Sequence, residues 1–359
     1  MAEPKKFREE QRGRGAVTNA EGRFESLARV TEDDGWDSLD VLPGALNTTL
    51  SVDTAKHVIT YNDSPDVSFD RSVNPYRGCE HGCVYCFARP SHGYLGLSAG
   101  QDFESKLFYK PDAPEILRKE LAHPRYQCQS IALGINTDAY QPVERKTKLT
   151  RRLLAIFAET KHPVSFVTKS ALIERDLDLL REMASQNLIQ VFLSITTLDK
   201  ALARTLEPRA AQPHRRLQTV ETLAKAGIPV GVLIAPLIPV LTDPELERIM
   251  QSARDAGARE AGYVLLRLPH EVKDLFREWL AAHAPGSAEH VMNRVREMRG
   301  GKDYQAEFGT RMRGTGVYAK FINDRFHLAH ARLNFPRMPK VRTDLFEAPT
   351  LPGAQLPLF

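Results

Sequence analysis

A chain of 359 residues, 42% hydrophobic and 26% charged, can bury a full core as one large α/β domain or two ordinary ones. No uninterrupted apolar run approaches the roughly 20 residues needed to cross a bilayer. The opening MAEPKKFREEQRGRG also lacks the apolar stretch of a secretory signal, so a soluble, cytoplasmic protein is expected; its net charge of +4 permits an anionic partner without demanding one.

Residues 1–58 are rich in charge, Gly, Thr and Asp and predict a mobile, partly disordered N-terminal arm. From 59 to 270 short apolar runs alternate with amphipathic stretches. Strand-like Ser130–Leu133, Val164–Thr168, Ile189–Ile195, Val230–Ile234 and Tyr263–Leu266 are separated by helix-like Leu149–Thr160, Ile173–Ser185, Pro213–Ala226 and Pro244–Ala256. Mostly apolar strands in βα order predict a parallel sheet covered on both faces, hence an α/β barrel, whole or partial. An open doubly wound sheet is the alternative, but no G-x-G-x-x-G follows any of these strands.

Residues 271–335 predict a helical, basic extension, with helices over Glu271–Ala282 and Glu289–Arg299. Between Glu289 and Lys340 there are eleven Lys or Arg against five Asp or Glu, which suits either a solvated helical face or a phosphate-binding surface. Residues 336–359 form a Pro-containing tail ending Gln355-Leu-Pro-Leu-Phe359.

The strongest local signal is Cys79-Glu-His-Gly-Cys83-Val-Tyr-Cys86, which holds three of the four cysteines. Three thiolates on one loop suit three irons of a cubane cluster and leave the fourth iron to a non-protein ligand. A structural zinc site recruiting His81, His92 or Cys128 is the alternative. Cys128, just before a strand, reads as a buried structural thiol.

The spacing C-x3-C-x2-C, with an aromatic before the last cysteine, resembles the signature of the radical S-adenosylmethionine (SAM) superfamily. The stretch from Asn74 to Pro90 resembles its branch related to spore photoproduct lyase, and the resemblance runs from about Asn62 to Leu333. It implies a partial (β/α)6 TIM-like barrel with a [4Fe–4S] cluster on Cys79, Cys83 and Cys86, and SAM across the C-terminal strand ends. It further implies reductive cleavage of SAM to a 5′-deoxyadenosyl radical, fed by an electron donor such as flavodoxin or ferredoxin. Thr137 and Asp138 match the place of the SAM amino group, and Lys169 that of a partner for its carboxylate or ribose. Ser194, Ala235 and Tyr85 match further SAM contacts. Arg267 either points to the barrel mouth or pairs with a neighbouring carboxylate.

Two positions depart from the lyase: Ile135 stands where it carries a hydrogen-donating cysteine, and Phe87 where it carries a relay tyrosine. Fold and cofactor therefore transfer more readily than substrate. The final Gln355-Leu-Pro-Leu-Phe359 resembles the peptide by which bacterial repair proteins dock on the sliding clamp, or else folds back on the barrel. These features favour a nucleic-acid substrate, in DNA repair or modification. A radical SAM enzyme acting on a small molecule or peptide, and a non-catalytic metal-binding module, are the alternatives.

Overall fold

The computed structural model describes residues 13–20, 22–24 and 46–351; the expected clamp motif Gln355–Phe359 lies outside the described residues. Four short strands open the folded region, β1 (Thr49–Val52), β2 (Ile59–Tyr61), β3 (Arg71–Val73) and β4 (Tyr76–Arg77). They are followed by α1 (Gln101–Ser105), β5 (Lys106–Tyr109) and α2 (Ala113–Leu121). The repeating part then runs β6 (Ile131–Leu133), α3 (Glu144–Thr147), α4 (Leu149–Glu159), β7 (Val164–Thr168), α5 (Leu177–Ser185), β8 (Ile189–Ser194), α6 (Lys200–Leu206), α7 (Pro213–Lys225), β9 (Val230–Leu237), α8 (Leu246–Asp255) and β10 (Ala261–Leu265). Beyond it come α9 (Val272–His283), α10 (Ala288–Glu297) and α11 (Gly316–Leu333).

The main sheet has the order β10-β9-β8-β7-β6-β3-β2. β3 and β6 to β10 are mutually parallel, and β2 adds antiparallel to β3. The edges β10 and β2 do not pair, so the barrel is partial and open. A second sheet has the order β1-β5-β4, and its strand β4 carries the chain from β3 into the cysteine loop.

Local chemistry explains these elements. β8 turns Ile189, Val191 and Leu193 into the core while Gln190 and Phe192 lie half-buried on the other side, the period of two that a strand imposes. α8 buries Leu246, Ile249, Met250 and Ala253 on one face, the helical period. The Asp199 carboxylate caps α6 by accepting from the Ala201 and Leu202 amides at 2.7 and 3.0 Å. α11 packs Ile322 and Phe326 into the same buried cluster as the barrel strands.

The segment after α11 is pinned under the barrel. The Arg342 amide donates to the Asn187 carbonyl at 2.9 Å and the Glu347 amide to the Thr160 carbonyl at 2.9 Å. Phe346 meets the ring of His162 edge-on, 5.3 Å between centroids. His162 is fully buried, with Nε2 2.7 Å from the Tyr126 hydroxyl and Nδ1 2.9 Å from the Pro163 carbonyl. Burial lowers its pKa to about 4, against about 6.5 for a free imidazole. A depressed imidazole means the unfolded chain takes up the proton first as pH falls. The contribution of His162 is therefore complete above about pH 6.5 and lost progressively down to about pH 4, on the order of 3 kcal/mol in all. Urea unfolding across this window is expected to show that loss, and His162→Gln is expected to flatten the dependence.

Candidate active site

The cysteine loop leaves β4 through Gly78 and turns again at Gly82, both at positive φ (75° and 67°), where a side chain would strain the backbone. The Cys79 amide donates to the Phe103 carbonyl at 2.9 Å, and the Val84 amide to the Leu206 carbonyl at 3.1 Å. Arg89, fully buried, gathers the loop from within. It donates to the carbonyls of Cys83 (2.8 Å), Gly82 (3.1 Å), Ala99 (3.0 Å) and Gly100 (2.9 Å) and pairs with the buried Glu104. Glu104 in turn accepts from the amides of Gly15 (2.9 Å) and Ala16 (2.8 Å), which lays residues 13–20 over the loop. A Cβ on Gly15 would stand 1.8 Å from the Gly82 carbonyl oxygen, so this close approach requires glycine.

Cys79 and Cys83 are buried and Cys86 is half-buried. Burial raises all three thiol pKa values, Cys83 to about 12, and the charge of Asp138, then the neighbouring sulfurs, raise Cys79 further. Among the described residues no three His, Cys, Asp or Glu side chains gather as one metal ion requires. A cluster, in which each thiolate takes a different iron, asks for a different arrangement.

Facing this loop are the C-terminal ends of the strands. Lys169 directly follows β7; its Nζ donates to Ser194 Oγ at 2.9 Å and reaches the Ala235 carbonyl at 3.5 Å. The same nitrogen lies 5.8 Å from the centre of the Tyr85 ring. Ser194, the last residue of β8, donates to the Ala235 carbonyl at 3.0 Å. Lys169, Ser194, Ala235 and Tyr85 thus form one contiguous group. Asp138 joins it after β6, accepting from the Lys169 amide (2.8 Å) and Thr168 hydroxyl (2.8 Å) and meeting His81 Nδ1 at 3.2 Å. Burial opposes ionisation of Asp138, yet His81 and these donors hold its pKa below the usual carboxylate range. Thr137 turns elsewhere: its hydroxyl donates to the Tyr76 carbonyl at 2.9 Å and braces the start of the cysteine loop.

Behind Tyr85 lies a buried network that carries no local sequence signal. The Tyr85 hydroxyl donates to Glu207, which also accepts from Thr196 Oγ1 (2.8 Å) and pairs with Arg216. Arg216 is 1% exposed and spends further donors on the carbonyls of Ser194 (2.8 Å) and Ala211 (2.6 Å). Burial alone would keep Glu207 neutral; the charges of Arg216 and Lys169 outweigh it and hold the carboxylate ionised.

Residues 73–253 match the Radical SAM superfamily model, half of the chain, and the chain belongs to that superfamily. Its members use a [4Fe–4S] cluster and SAM, and the protein is an enzyme of this class. It is 35% identical over 232 residues to an uncharacterised protein of Mycobacterium tuberculosis, a match covering 64% of this chain and 67% of that one. An uncharacterised protein of Methanocaldococcus jannaschii is 30% identical over 173 residues, covering 48% and 62%. A spore photoproduct lyase solved with a dinucleoside spore photoproduct shares the fold at a TM-score of 0.57 and 16% identity, over 79% of both chains.

Proposed function

We propose that Cys79, Cys83 and Cys86 hold a [4Fe–4S] cluster at the barrel mouth, and that Lys169, Ser194, Ala235, Asp138 and Tyr85 form the cradle for SAM, with Thr137 bracing the loop. The observation that carries this reading is Lys169. Its ammonium faces the cysteine loop at a strand end, the place where such barrels bind ligands, and among the described residues its hydrogen bonds go to the neutral oxygens of Ser194 and Ala235. A half-buried ammonium hydrogen-bonded to neutral groups, with the nearby Glu207 carboxylate already paired to Arg216, is prepared for a carboxylate, the group that SAM carries.

Each residue has a part within that cradle. Ser194 and the Ala235 carbonyl aim the ammonium; that carbonyl also accepts from Thr196 at 3.3 Å, so its contribution is to orient Lys169. Asp138, kept ionised by its donors, holds the Lys169 amide and so fixes the backbone from which the ammonium projects. The Tyr85 ring, fixed through its hydroxyl, walls the cradle beside the third cysteine. Bound there, the cluster and SAM supply reductive release of a 5′-deoxyadenosyl group that abstracts a hydrogen atom.

The substrate in this reading is nucleic acid, for repair or modification of DNA. The fold-level neighbour was solved with a dinucleoside lesion, and past β10 the Arg267 guanidinium lies over Phe87 beside the cysteine loop. Ile135 and Phe87 carry neither thiol nor phenol, which separates the proposed reaction from a thiol-and-tyrosine hydrogen relay. A flavodoxin or ferredoxin in the cytoplasm supplies the electron, and Gln355–Phe359 tethers the enzyme to a sliding clamp. Among the described residues no helix is long and apolar enough to cross a membrane.

Anaerobic reconstitution, reduction and assay of 5′-deoxyadenosine test the reading. Release from SAM is expected, and a higher rate when single-stranded DNA is added; no release from a chain with a full cluster would contradict it. Lys169→Ala is expected to weaken SAM binding about ten- to a hundredfold, as for a lost hydrogen bond to a charged group, with iron content unchanged. Equilibrium dialysis of labelled SAM reads that shift.

A further inference from the structure

Beyond the SAM cradle, the rim after β10 carries a cation that, among the described residues, hydrogen-bonds to no carboxylate. Arg267 lies two residues past β10; its Nη1 donates to Met312 Sδ at 3.5 Å, and its Nε is buried with no hydrogen-bond partner among the described residues. Behind it, Arg299 is 1% exposed and among the described residues is held by neutral carbonyls, those of Arg311 (2.8 Å), Leu266 (2.8 Å), Thr310 (3.1 Å) and Leu265 (3.5 Å). Burial, then the charge of Arg267, lowers the Arg299 pKa to about 10, which shows two guanidinium groups acting on each other. The acidic group at this edge, Asp66, is committed to Arg311 and to the Gly309 amide at 2.7 Å. Arg267 feels the Asp66 charge only at a distance, so among the described residues no carboxylate hydrogen-bonds to it, and a guanidinium in that state matches a phosphate.

Aromatic surface accompanies the charge. The Arg267 guanidinium sits 5.4 Å from the centre of the Phe87 ring, and Phe87, immediately after Cys86, is 43% exposed. Past Met312, the Arg311 guanidinium lies 4.4 Å over Phe308, which is 53% exposed. Exposed rings along the rim, with the Arg267 guanidinium between them, are what an unpaired nucleic-acid strand requires: a flat face for each base and a cation for the phosphate that joins them.

We infer that Arg267 and Phe87 form a nucleotide subsite at the mouth of the barrel, with a phosphate of single-stranded DNA on Arg267, its base against Phe87, and the next nucleotide toward Phe308. This rests on the nucleic-acid reading above and names the surface that performs it. The subsite places a nucleotide next to the cysteine loop, where hydrogen abstraction is proposed to occur.

Fluorescence anisotropy with the reconstituted full chain and a labelled oligothymidylate, across a salt series, tests the inference. Arg267→Gln is expected to weaken binding about tenfold and to make the log–log salt slope shallower by about 0.7, the share of one phosphate on a single strand. Phe87→Leu is expected to weaken binding about tenfold at an unchanged slope, and Phe87→Tyr, which keeps the ring, to bind as the parent does. Iron content and SAM binding report whether each variant keeps its fold. Parent-like affinity and slope in both Arg267→Gln and Phe87→Leu would overturn the subsite while leaving nucleic-acid binding in place. No binding by the parent at low salt would overturn the nucleic-acid reading and the subsite with it. Thymidine monophosphate competing as well as the oligomer would assign the site to a small phosphorylated ligand and overturn the strand.

Discussion

A Cys83→Ala chain, reconstituted with iron and sulfide under anaerobic conditions, is expected to lose most of the [4Fe–4S] absorbance and to release 5′-deoxyadenosine at least a hundredfold more slowly, about the most that a change merely beside a metal site costs. The reason is arithmetic at the site: three thiolates serve three irons, and with two the cubane lacks a protein anchor at a second corner. The fold should survive, because the loop is organised independently of the thiols through Arg89, Glu104 and the backbone bonds of Cys79 and Val84. Cys128→Ala is the matched control. That thiol is half-buried before β6, and its loss is expected to leave iron content and SAM cleavage unchanged.

The second large effect lies at Glu207. Glu207→Gln keeps the shape of the side chain and removes the charge that balances Arg216, which is 1% exposed. Breaking one partner of a buried pair costs about 3–5 kcal/mol, because the remaining charge stays buried and uncompensated. Urea unfolding of the apo chain is expected to show that loss. Adding Arg216→Met should restore much of the stability, since a buried pair replaced by apolar groups is often neutral. Tyr85 would then donate to a neutral carboxamide oxygen instead of a carboxylate, and that weaker bond fixes its hydroxyl less firmly, so SAM binding is expected to stay below that of the parent in the stable double variant. Recovery of SAM affinity together with stability would show the network to be structural only.

What could be read from the sequence follows from how local each signal is. The barrel strands announce themselves through consecutive apolar residues, and Val164–Thr168 matches its expected limits. The cysteine loop is a single short segment, and Lys169 and Ser194 sit at strand ends where ligand contacts are sought. α11 is harder to read. Its buried face is Ala319, Ile322, Phe326 and Ala329, so small residues at half the buried positions dilute the helical pattern. Glu207 and Arg216 are separated by a turn and meet Tyr85 only when β8, β9 and the cysteine loop converge. Gly15 belongs to an Arg-Gly-Arg-Gly run that reads as a mobile arm; its docking depends on Glu104, far along the chain. The basic count after Glu289 overstated the free charge. Arg294, Arg296, Arg311 and Arg325 are paired with Glu297, Asp303, Asp66 and Glu247.

The most direct measurement of the central claim is the electron paramagnetic resonance spectrum of the reduced, reconstituted chain with and without SAM. The account predicts a [4Fe–4S] signal whose g values shift when SAM is added, with Lys169→Ala needing about ten- to a hundredfold more SAM for the same shift. A full cluster whose spectrum ignores saturating SAM would contradict it.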